Sequence, residues 1–519
     1  MNILGLHLGH DASCAVIEDN RLVALIEKER LTRIKYDRGY NDTMVATALI
    51  TAGLTMRDID FVALSIPSGN RSEAAVREQD LWGIHITKGA SLYRKGPRQM
   101  TPWDYEDGLQ VTLLDYTLPA AQVQHHIAHC ASSYYLSNWN DAVCLSYDGS
   151  GAPDNQNSAV MHGVGTELQY IECPNLNSAL YFGQAAHRVL GNWRDSGKLM
   201  GLAAYGNAME YKIDPLVELM EDTGWKEFEV MVPRRGDNHK QEVAATMQHL
   251  LMREVSLMND KLKESFNVQN LCLSGGGALN IYGNSHFMQD WDVFCAPFCK
   301  DSGLSAGAAL YVLHHIYGEG LEEYTTQDIT FLGMVPPPNG SISDDVISET
   351  AELLAQNKVV LWHQGRSEAG PRALSHRSIF ALPHIHDNRK RVSQQLKGRE
   401  WYRPLAPIVP ADDASKYFDI EPSRMSELML VNAQVKDESL TEVTHHDGTA
   451  RVQTITEEFN PEVYKLLKQV GEATGYPVLI NTSLNILGTA INETAQDTLW
   501  TLNRAEVECV AMVDGVLVK

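Results

Sequence analysis

The chain opens on an apolar run broken only by small or polar residues, Asn2-Ile3-Leu4-Gly5-Leu6-His7-Leu8. Residues 2–8 read as a strand, Gly9–Ala12 as a turn and Ser13–Glu18 as a second strand. Asp19-Asn20 then reads as a hairpin turn and Arg21–Glu27 as a third strand. The order returns downstream: Ala142–Tyr147 is strand-like, Asp148-Gly149-Ser150-Gly151 turn-like, and Ser158–His162 a returning strand. Two strand–acidic-Gly-turn–strand units predict a duplicated nucleotide-binding core. The two halves of such a core clamp a phosphate chain between their hairpin turns. A third Gly-rich turn, Ser274–Gly277, follows the short strand 270–273 and runs into Ala278-Leu279-Asn280, which reads as a helix start. That order aims backbone N–H groups and a helix N-terminus at one anion, a plain tight turn being the alternative.

The residues 333–345 break the pattern, because three consecutive prolines beside Asn-Gly continue neither a helix nor a central strand. They predict a boundary between a first domain, 1–335, and a second, 345–519. Beyond it, helix-like runs (347–356, 461–473, 493–503) mix with strand-like runs (359–363, 478–481, 509–513), an α/β pattern.

With 519 residues the chain is long enough for about two to four domains. A net charge of −23 argues against nonspecific binding of nucleic acid or an anionic membrane. The N-terminus lacks the basic and apolar regions of a signal peptide, and no stretch approaches ~20 uninterrupted apolar residues. The eight cysteines are scattered without a Cys-x-x-Cys, so they read as reduced thiols of a cytoplasmic protein. Cys295-x3-Cys299 is their only close pair and a weak metal signal.

Against this acidic background one stretch is basic. Between Arg366 and Arg403 seven Arg and two Lys face three acids. They lie among Gly, Ser, Trp and Pro rather than along a plain helical stripe. Guanidinium groups beside Gly-Pro turns suit a small phosphorylated substrate. Within this region Lys397-Gly398-Arg399-Glu400-Trp401-Tyr402-Arg403 pairs cations with aromatics that either stack a base or pack the turn. Asn481-Thr482-Ser483 follows an apolar strand and either completes a polar pocket or caps a helix. His125 and His129 are four apart on an expected helix, share one face, and can ligate a metal with Asp148 or Asp301 as further ligands. Such a set suits iron, manganese or zinc, while two structural histidines are the bland alternative. His126 points elsewhere. Lys198, directly after Gly197, either reaches a phosphate or sits in a solvated turn.

Taken in order, these segments resemble the NodU/CmcH-type O-carbamoyltransferases. The matching set is Gly9-His10-Asp11-Ala12, His125-His126-x2-His129, Asp148–Gly151, Gly197–Ala203, Ser274–Gly277 with Asn280, Asp301-Ser302-Gly303, Gly365–Leu374, Arg399-Glu400-x2-Arg403-Pro404 and Asn481-Thr482-Ser483-x-Asn485. It covers nearly the whole chain. The resemblance implies an α/β chain with an actin-like, TsaD-like first domain and a YrdC-type second domain. The second domain would make carbamoyl-AMP from carbamoyl phosphate and Mg²⁺-bound ATP. Arg366, Arg372, Lys397, Arg399, Arg403 and an Asn481–Ser483 turn would hold the phosphates, with Arg366 and Arg372 serving catalysis. In the first domain Lys198, Gly275, Gly276, Gly277 and Asn280 would hold the nucleotide. His125, His129, Asp148 and Asp301 would hold a divalent metal, iron in relatives. His10, as a neutral imidazole, is the candidate general base for an attacking hydroxyl.

The partner this implies is a small-molecule alcohol; relatives modify aminoglycosides, cephems, polyketides, nodulation factors and alkaloid toxins. Segments 66–115 and 207–245 are expected to line its pocket. Neither nucleic acid nor membrane is expected, and a homodimer is left open. Two other readings remain: a tRNA threonylcarbamoyl transferase, against which the charge argues, and a non-catalytic actin-like nucleotide-binding protein, which leaves the arginines and histidines without work.

Overall fold

The computed structural model describes residues 1–65, 79–81, 84–88, 105–151, 156–174, 176–208, 237–336, 342–486 and 488–519. The expected N-terminal meander forms as β1 (Ile3–His7), β2 (Ser13–Glu18) and β3 (Arg21–Glu27), all antiparallel. The short helix α1 (Lys28–Thr32) and helix α2 (Asp42–Ala52) lead to β4 (Phe61–Ser65), which pairs parallel with β1. The chain continues through β5 (Gln79–Leu81), β6 (Ile84–Lys88), β7 (Tyr105–Leu113) and β8 (Tyr116–Val123). The sheet runs β3-β2-β1-β4-β8-β7-β6-β5.

Helix α3 (His125–Tyr134) opens the second half. It is followed by β9 (Asp141–Gly151), β10 (Gln156–Val164), β11 (Glu167–Glu172), α4 (Ser178–Leu190), α5 (Ser196–Ala203), α6 (Asp237–Ser265), β12 (Asn270–Ser274), α7 (Ile281–Phe287), β13 (Asp292–Cys295) and α8 (Leu304–Tyr311). The second sheet is ordered β11-β10-β9-β12-β13. Its antiparallel meander followed by two parallel strands repeats β3-β2-β1-β4-β8 strand for strand. The duplicated core read from the two hairpins is therefore present, in the actin-like form that the resemblance implies. Two details differ from expectation. Asp148–Gly151 belongs to β9 instead of forming a turn, because Gly151 still pairs with Gln156. A 3₁₀ turn, Gly276–Leu279, precedes the helix, and α7 begins only at Ile281, capped by the Asn280 side chain.

Helices α3 and α8 lie between the two sheets, α8 against β1, β2 and β4 and α3 against β9 and β12. Small residues permit this stacking. A Cβ on Gly5 would stand 2.1 Å from the Ser305 carbonyl oxygen, and one on Gly307 would stand 1.8 Å from that of Ala128. Gly307→Ala is expected to lower stability by about 1–3 kcal/mol, read as a fall in Tm, since neither helix backbone can yield without moving a sheet.

The last third adds helix α9 (Asp344–Ala355), which starts inside the 333–345 segment and is capped by Ser343, and helix α10 (Pro461–Thr474). Its strands are β14 (Val359–His363), β15 (Arg377–Ala381), β16 (Ala406–Pro410), β17 (Ala433–Gln434), β18 (Thr449–Ala450), β19 (Gln453–Ile455), β20 (Leu479–Ser483), β21 (Cys509–Val513) and β22 (Val516–Val518). Seven of them form a mixed sheet, β19-β16-β20-β15-β14-β21-β22. The α/β pattern expected here holds. One apolar core joins both sides of residues 333–345; Phe331, for example, packs on Phe459 with ring centroids 5.4 Å apart. All eight cysteines are free thiols. Among the described residues no helix is long and apolar enough to cross a membrane.

A candidate metal centre and a candidate phosphate pocket

Gln124 starts α3 by accepting a hydrogen bond from the Ile127 N–H at 2.9 Å. One helical turn then sets His125 and His129 on the same face. The end of β9 delivers Asp148, and the 3₁₀ turn before α8 delivers Asp301. Asp148 Oδ2 lies 3.2 Å from His125 Nε2 and 3.3 Å from His129 Nε2. Asp301 Oδ1 lies 3.4 Å from His129 Nε2, and the two Nε2 atoms are 3.2 Å apart. All four ligand atoms fall within 4.8 Å of one another. His126 is turned away to Ser146 Oγ at 2.9 Å, as expected.

This donor set fits a divalent cation. Two imidazole nitrogens and two carboxylate oxygens converge on one point in a buried setting, where like dipoles and charges repel unless a proton or a cation sits between them. Without a metal a proton does so. Burial lowers the pKa of His129, but hydrogen bonds to Asp148 and Asp301 outweigh it and push the ring up to about 9. Burial likewise raises Asp148, yet its bonds to the two histidines hold it well below the usual carboxylate range. A metal must displace the His129 proton. Its affinity is therefore expected to rise about tenfold per pH unit from neutrality to about pH 9 and then level off, in calorimetric titrations with Mn²⁺ or Zn²⁺.

His10 stands at the rim. Its Nε2 is 3.3 Å from Asp301 Oδ2, its Nδ1 is 3.6 Å from Asp11 Oδ2, and its ring meets the edge of Trp193 at 5.1 Å. Burial lowers its pKa, but the charges of Asp301 and Asp11 win and push it up to about 9. With no cation on Asp301, these carboxylates favour the charged form of His10, whereas the role expected from the sequence calls for the neutral imidazole. Asp11 takes a left-handed backbone, φ 63°, and Lys300 holds it at 3.0 Å.

The Gly-rich turn packs on this centre. The Gly276 N–H donates to Asp148 Oδ1 at 3.0 Å, leaving Oδ2 for the histidines. Cβ atoms on Gly275 and Gly277 would lie 2.3 Å from the Tyr147 carbonyl oxygen and 2.2 Å from its ring, so close approach to β9 demands glycine there. Asn280 caps α7 and bonds Gln248. Lys198 pairs with Asp195 at 3.1 Å and Glu400 at 2.9 Å.

The second cluster gathers around β20. Asn481, Thr482 and Ser483 were expected on a turn; they lie on this strand, paired with β15 and β16. Lys397 is buried and donates to Ser483 Oγ at 3.0 Å, to Asn485 Oδ1 at 2.7 Å and to the Ser483 carbonyl. Arg399 donates to Thr482 Oγ1 at 3.0 Å and Ser483 Oγ at 3.3 Å. Burial first, and then neighbouring cations, push Lys397, Arg399 and Arg451 well below their ordinary pKa values. Arg372 is lowered by burial and by Arg403. Cations that depress one another in this way await an anion. Arg451 was missed from the sequence; it is a lone Arg between Ala450 and Val452, with no motif around it.

Arg366 stands apart. Its guanidinium donates to the Gly333 carbonyl at 2.9 Å and the Val23 carbonyl at 2.7 Å, fastening the last third of the chain to β3. Arg377, fully buried, caps the carbonyls of Gln364, Gly365 and Glu493. The basic stretch thus divides into arginines that satisfy loop carbonyls, Arg366 and Arg377, and cations held on the polar side chains of β20 and the residues just after it, Lys397 and Arg399. Of the segments expected to line an acceptor pocket, residues 66–78, 82–83, 89–104 and 209–236 lie outside the described residues.

Two family models match the chain: the carbamoyltransferase N-terminus over residues 2–310 and the carbamoyltransferase C-terminus over residues 351–519. The chain belongs to the carbamoyltransferase family. It is a carbamoyl-transferring enzyme. The nodulation protein NolNO of Sinorhizobium fredii is 29% identical over 92% of this chain and 74% of its own. The nodulation protein U of Rhizobium tropici is 31% identical over 94% of this chain and 91% of its own. Among solved structures, HypF of T. kodakarensis is similar over 61% of this chain and 48% of its own, at 14% identity and a TM-score of 0.35. The assignment of this carbamoyltransferase to the actin-like fold rests on its repeated strand order rather than on that likeness.

Proposed function

We propose that this carbamoyltransferase works in two steps at two sites. The part beyond residue 345 makes carbamoyl-AMP, and the part before residue 335 passes the carbamoyl group to a hydroxyl of a small-molecule acceptor. The observation that carries the first step is the pair of buried cations Lys397 and Arg399 bonded to the side chains of β20, with Arg372, Arg403 and Arg451 within electrostatic reach. A phosphate dianion and the triphosphate of ATP supply the charge that this pocket lacks. Water displaces phosphate from carbamoyl phosphate to give carbamate. A carbamate oxygen attacks the α-phosphorus of Mg²⁺-bound ATP, and pyrophosphate leaves. Lys397 and Arg399 hold the phosphoryl oxygens in line and offset the charge that gathers on them in the transition state.

Carbamoyl-AMP then meets an acceptor hydroxyl in the first part. Its oxygen bonds to the carbamoyl carbon, AMP leaves, and one proton is released. A divalent metal on His125, His129, Asp148 and Asp301 supplies Lewis acidity there; iron, manganese and zinc all suit the donors. The Gly275–Gly277 turn, Lys198 and Asn280 are the proposed nucleotide contacts of this half. His10, held between Asp301 and Asp11, is placed to move the proton once the charge on Asp301 is shared with a cation.

The test is pyrophosphate release from ATP by the purified chain, with and without carbamoyl phosphate. Release that requires carbamoyl phosphate supports the reading. A metal-dependent hydrolase or a non-catalytic nucleotide-binding protein gives none.

A further inference from the structure

The segment from Lys28 to Gly39 touches both clusters. At one end the Lys28 N–H donates to the Ala12 carbonyl at 2.8 Å, and the Ala12 N–H donates to the Asp37 carbonyl at 2.9 Å. This fastens the segment to the turn that carries His10 and Asp11. At the other end α1 stops at Arg33, which takes a left-handed backbone, φ 64°, and closes the helix by donating its N–H to Glu29. The Arg33 side chain crosses to the last third of the chain. Its guanidinium donates to the Ile491 carbonyl at 2.6 Å, the Ala490 carbonyl at 2.8 Å and Asn492 Oδ1 at 2.8 Å. Its Nε lies 3.5 Å from Asp497 Oδ1. Ile34 adds an antiparallel backbone bridge to Thr489.

Residues 489–492 in turn set the phosphate pocket. The Thr489 carbonyl accepts from Asn485 Nδ2 at 2.7 Å. Asn485 Oδ1 accepts from Lys397 Nζ at 2.7 Å and from Ser483 Oγ at 2.6 Å. The Asn492 N–H closes the loop by donating to the Leu484 carbonyl at 2.9 Å. A lysine head on four rotatable bonds keeps its direction only while its acceptors are fixed. Asn485 is fixed at Thr489, Thr489 is held by Ile34, and Arg33 holds the three residues that follow it.

We propose that Arg33 is a positioning residue for the adenylating step: it braces residues 489–492 from the first part of the chain and so aims Lys397 at the phosphoryl group. The inference rests on reading the Lys397 cluster as the adenylating site. It adds that this site is completed across the two parts. The last third alone then holds its cations but not their alignment. The same segment also reaches the His10–Asp11 turn, so the two sites share one strut.

The experiment uses the full chain and two readouts, carbamoyl-phosphate-dependent pyrophosphate release and calorimetric binding of inorganic pyrophosphate. Arg33→Ala is expected to weaken pyrophosphate binding about tenfold and to slow its release at least as much. The metal content of the His125–His129 site should stay unchanged. Millimolar guanidinium should restore part of the activity, which a general loss of folding would not allow. Should Arg33→Ala prove insoluble, Arg33→Lys keeps the charge but reaches fewer of the four acceptors, and a smaller loss in the same direction is expected. Pyrophosphate affinity within about twofold of the unaltered chain would overturn the brace. Absence of release by the unaltered chain sinks the adenylation reading instead, while the binding comparison still decides the role of Arg33.

Discussion

Replacing Lys397 by Met is expected to cut carbamoyl-phosphate-dependent pyrophosphate release by about 10²–10³-fold, the usual cost of removing one preorganised donor from a transferring or tetrahedral centre. Lys397 is 2% exposed and donates to Ser483 and Asn485 on the floor of the cationic pocket. Met keeps the length and apolar stem and removes only the ammonium group. The fold should not suffer. Burial, and the charges of Arg399, Lys35 and Arg403, already disfavour charged Lys397. A lysine whose folded pKa is depressed destabilises the fold at neutral pH and ceases to do so as pH rises toward its unfolded value. Removing it is expected to leave Tm unchanged or higher near pH 7. Release within about threefold of the unaltered chain, at matched Tm, would place adenylation elsewhere.

The first three strands were legible because their signal is local. Ser13–Glu18 and Arg21–Glu27 carry their own hairpin turn, and the structure returns those bounds. The metal centre was legible for a similar reason: His125 and His129 sit on one helix, and spacing alone puts them on one face. Asp148 and Asp301 come from other elements and were named as acids beside Gly or Ser, a weak cue that the tertiary fold made good. Arg366 shows where local reading fails. Nothing in Gly365-Arg366-Ser367 tells a phosphate from a main-chain carbonyl, and the deciding partners, Gly333 and Val23, lie far off in sequence. Asn481–Ser483 was placed on a turn because its polar residues follow an apolar run. Pairing with β15 and β16 keeps it extended, and the three side chains part: Ser483 meets Lys397, Thr482 meets Arg399 and Asn481 meets Gln453. Arg451 and Arg33 escaped notice because the meaning of each comes only from what it meets: Arg33 lies among other basic residues (Lys28, Arg30, Lys35, Arg38), and its partners at 490–492 lie far off in sequence.

Replacing His125 by Ala is expected to separate the two steps. Loss of a second-neighbour contact to a metal ligand costs about 10–100-fold in affinity, so loss of a ligand should cost more and empty the site at micromolar metal. Metal content measured by plasma mass spectrometry after desalting should then fall to background. Pyrophosphate release should stay within about twofold, because the ring makes no contact with Lys397 or Arg399 and distant sites act independently. Any alcohol that the unaltered chain carbamoylates should be left unmodified, and carbamoyl-AMP should accumulate instead. The pH dependence gives an internal check. In the metal-free protein, His129 and His10 are held protonated by Asp148, Asp301 and Asp11 up to about pH 9. A histidine raised in this way stabilises the fold fully below its unfolded pKa and loses that contribution as pH climbs through the folded value. Metal-free protein is therefore expected to lose stability between about pH 6.5 and about pH 9, a window in which metal-loaded protein holds its Tm, because the cation replaces the protons. If His125→Ala abolished pyrophosphate release as well, the two clusters would be one site, and a shared strut through residues 28–39 would no longer suffice to explain their coupling.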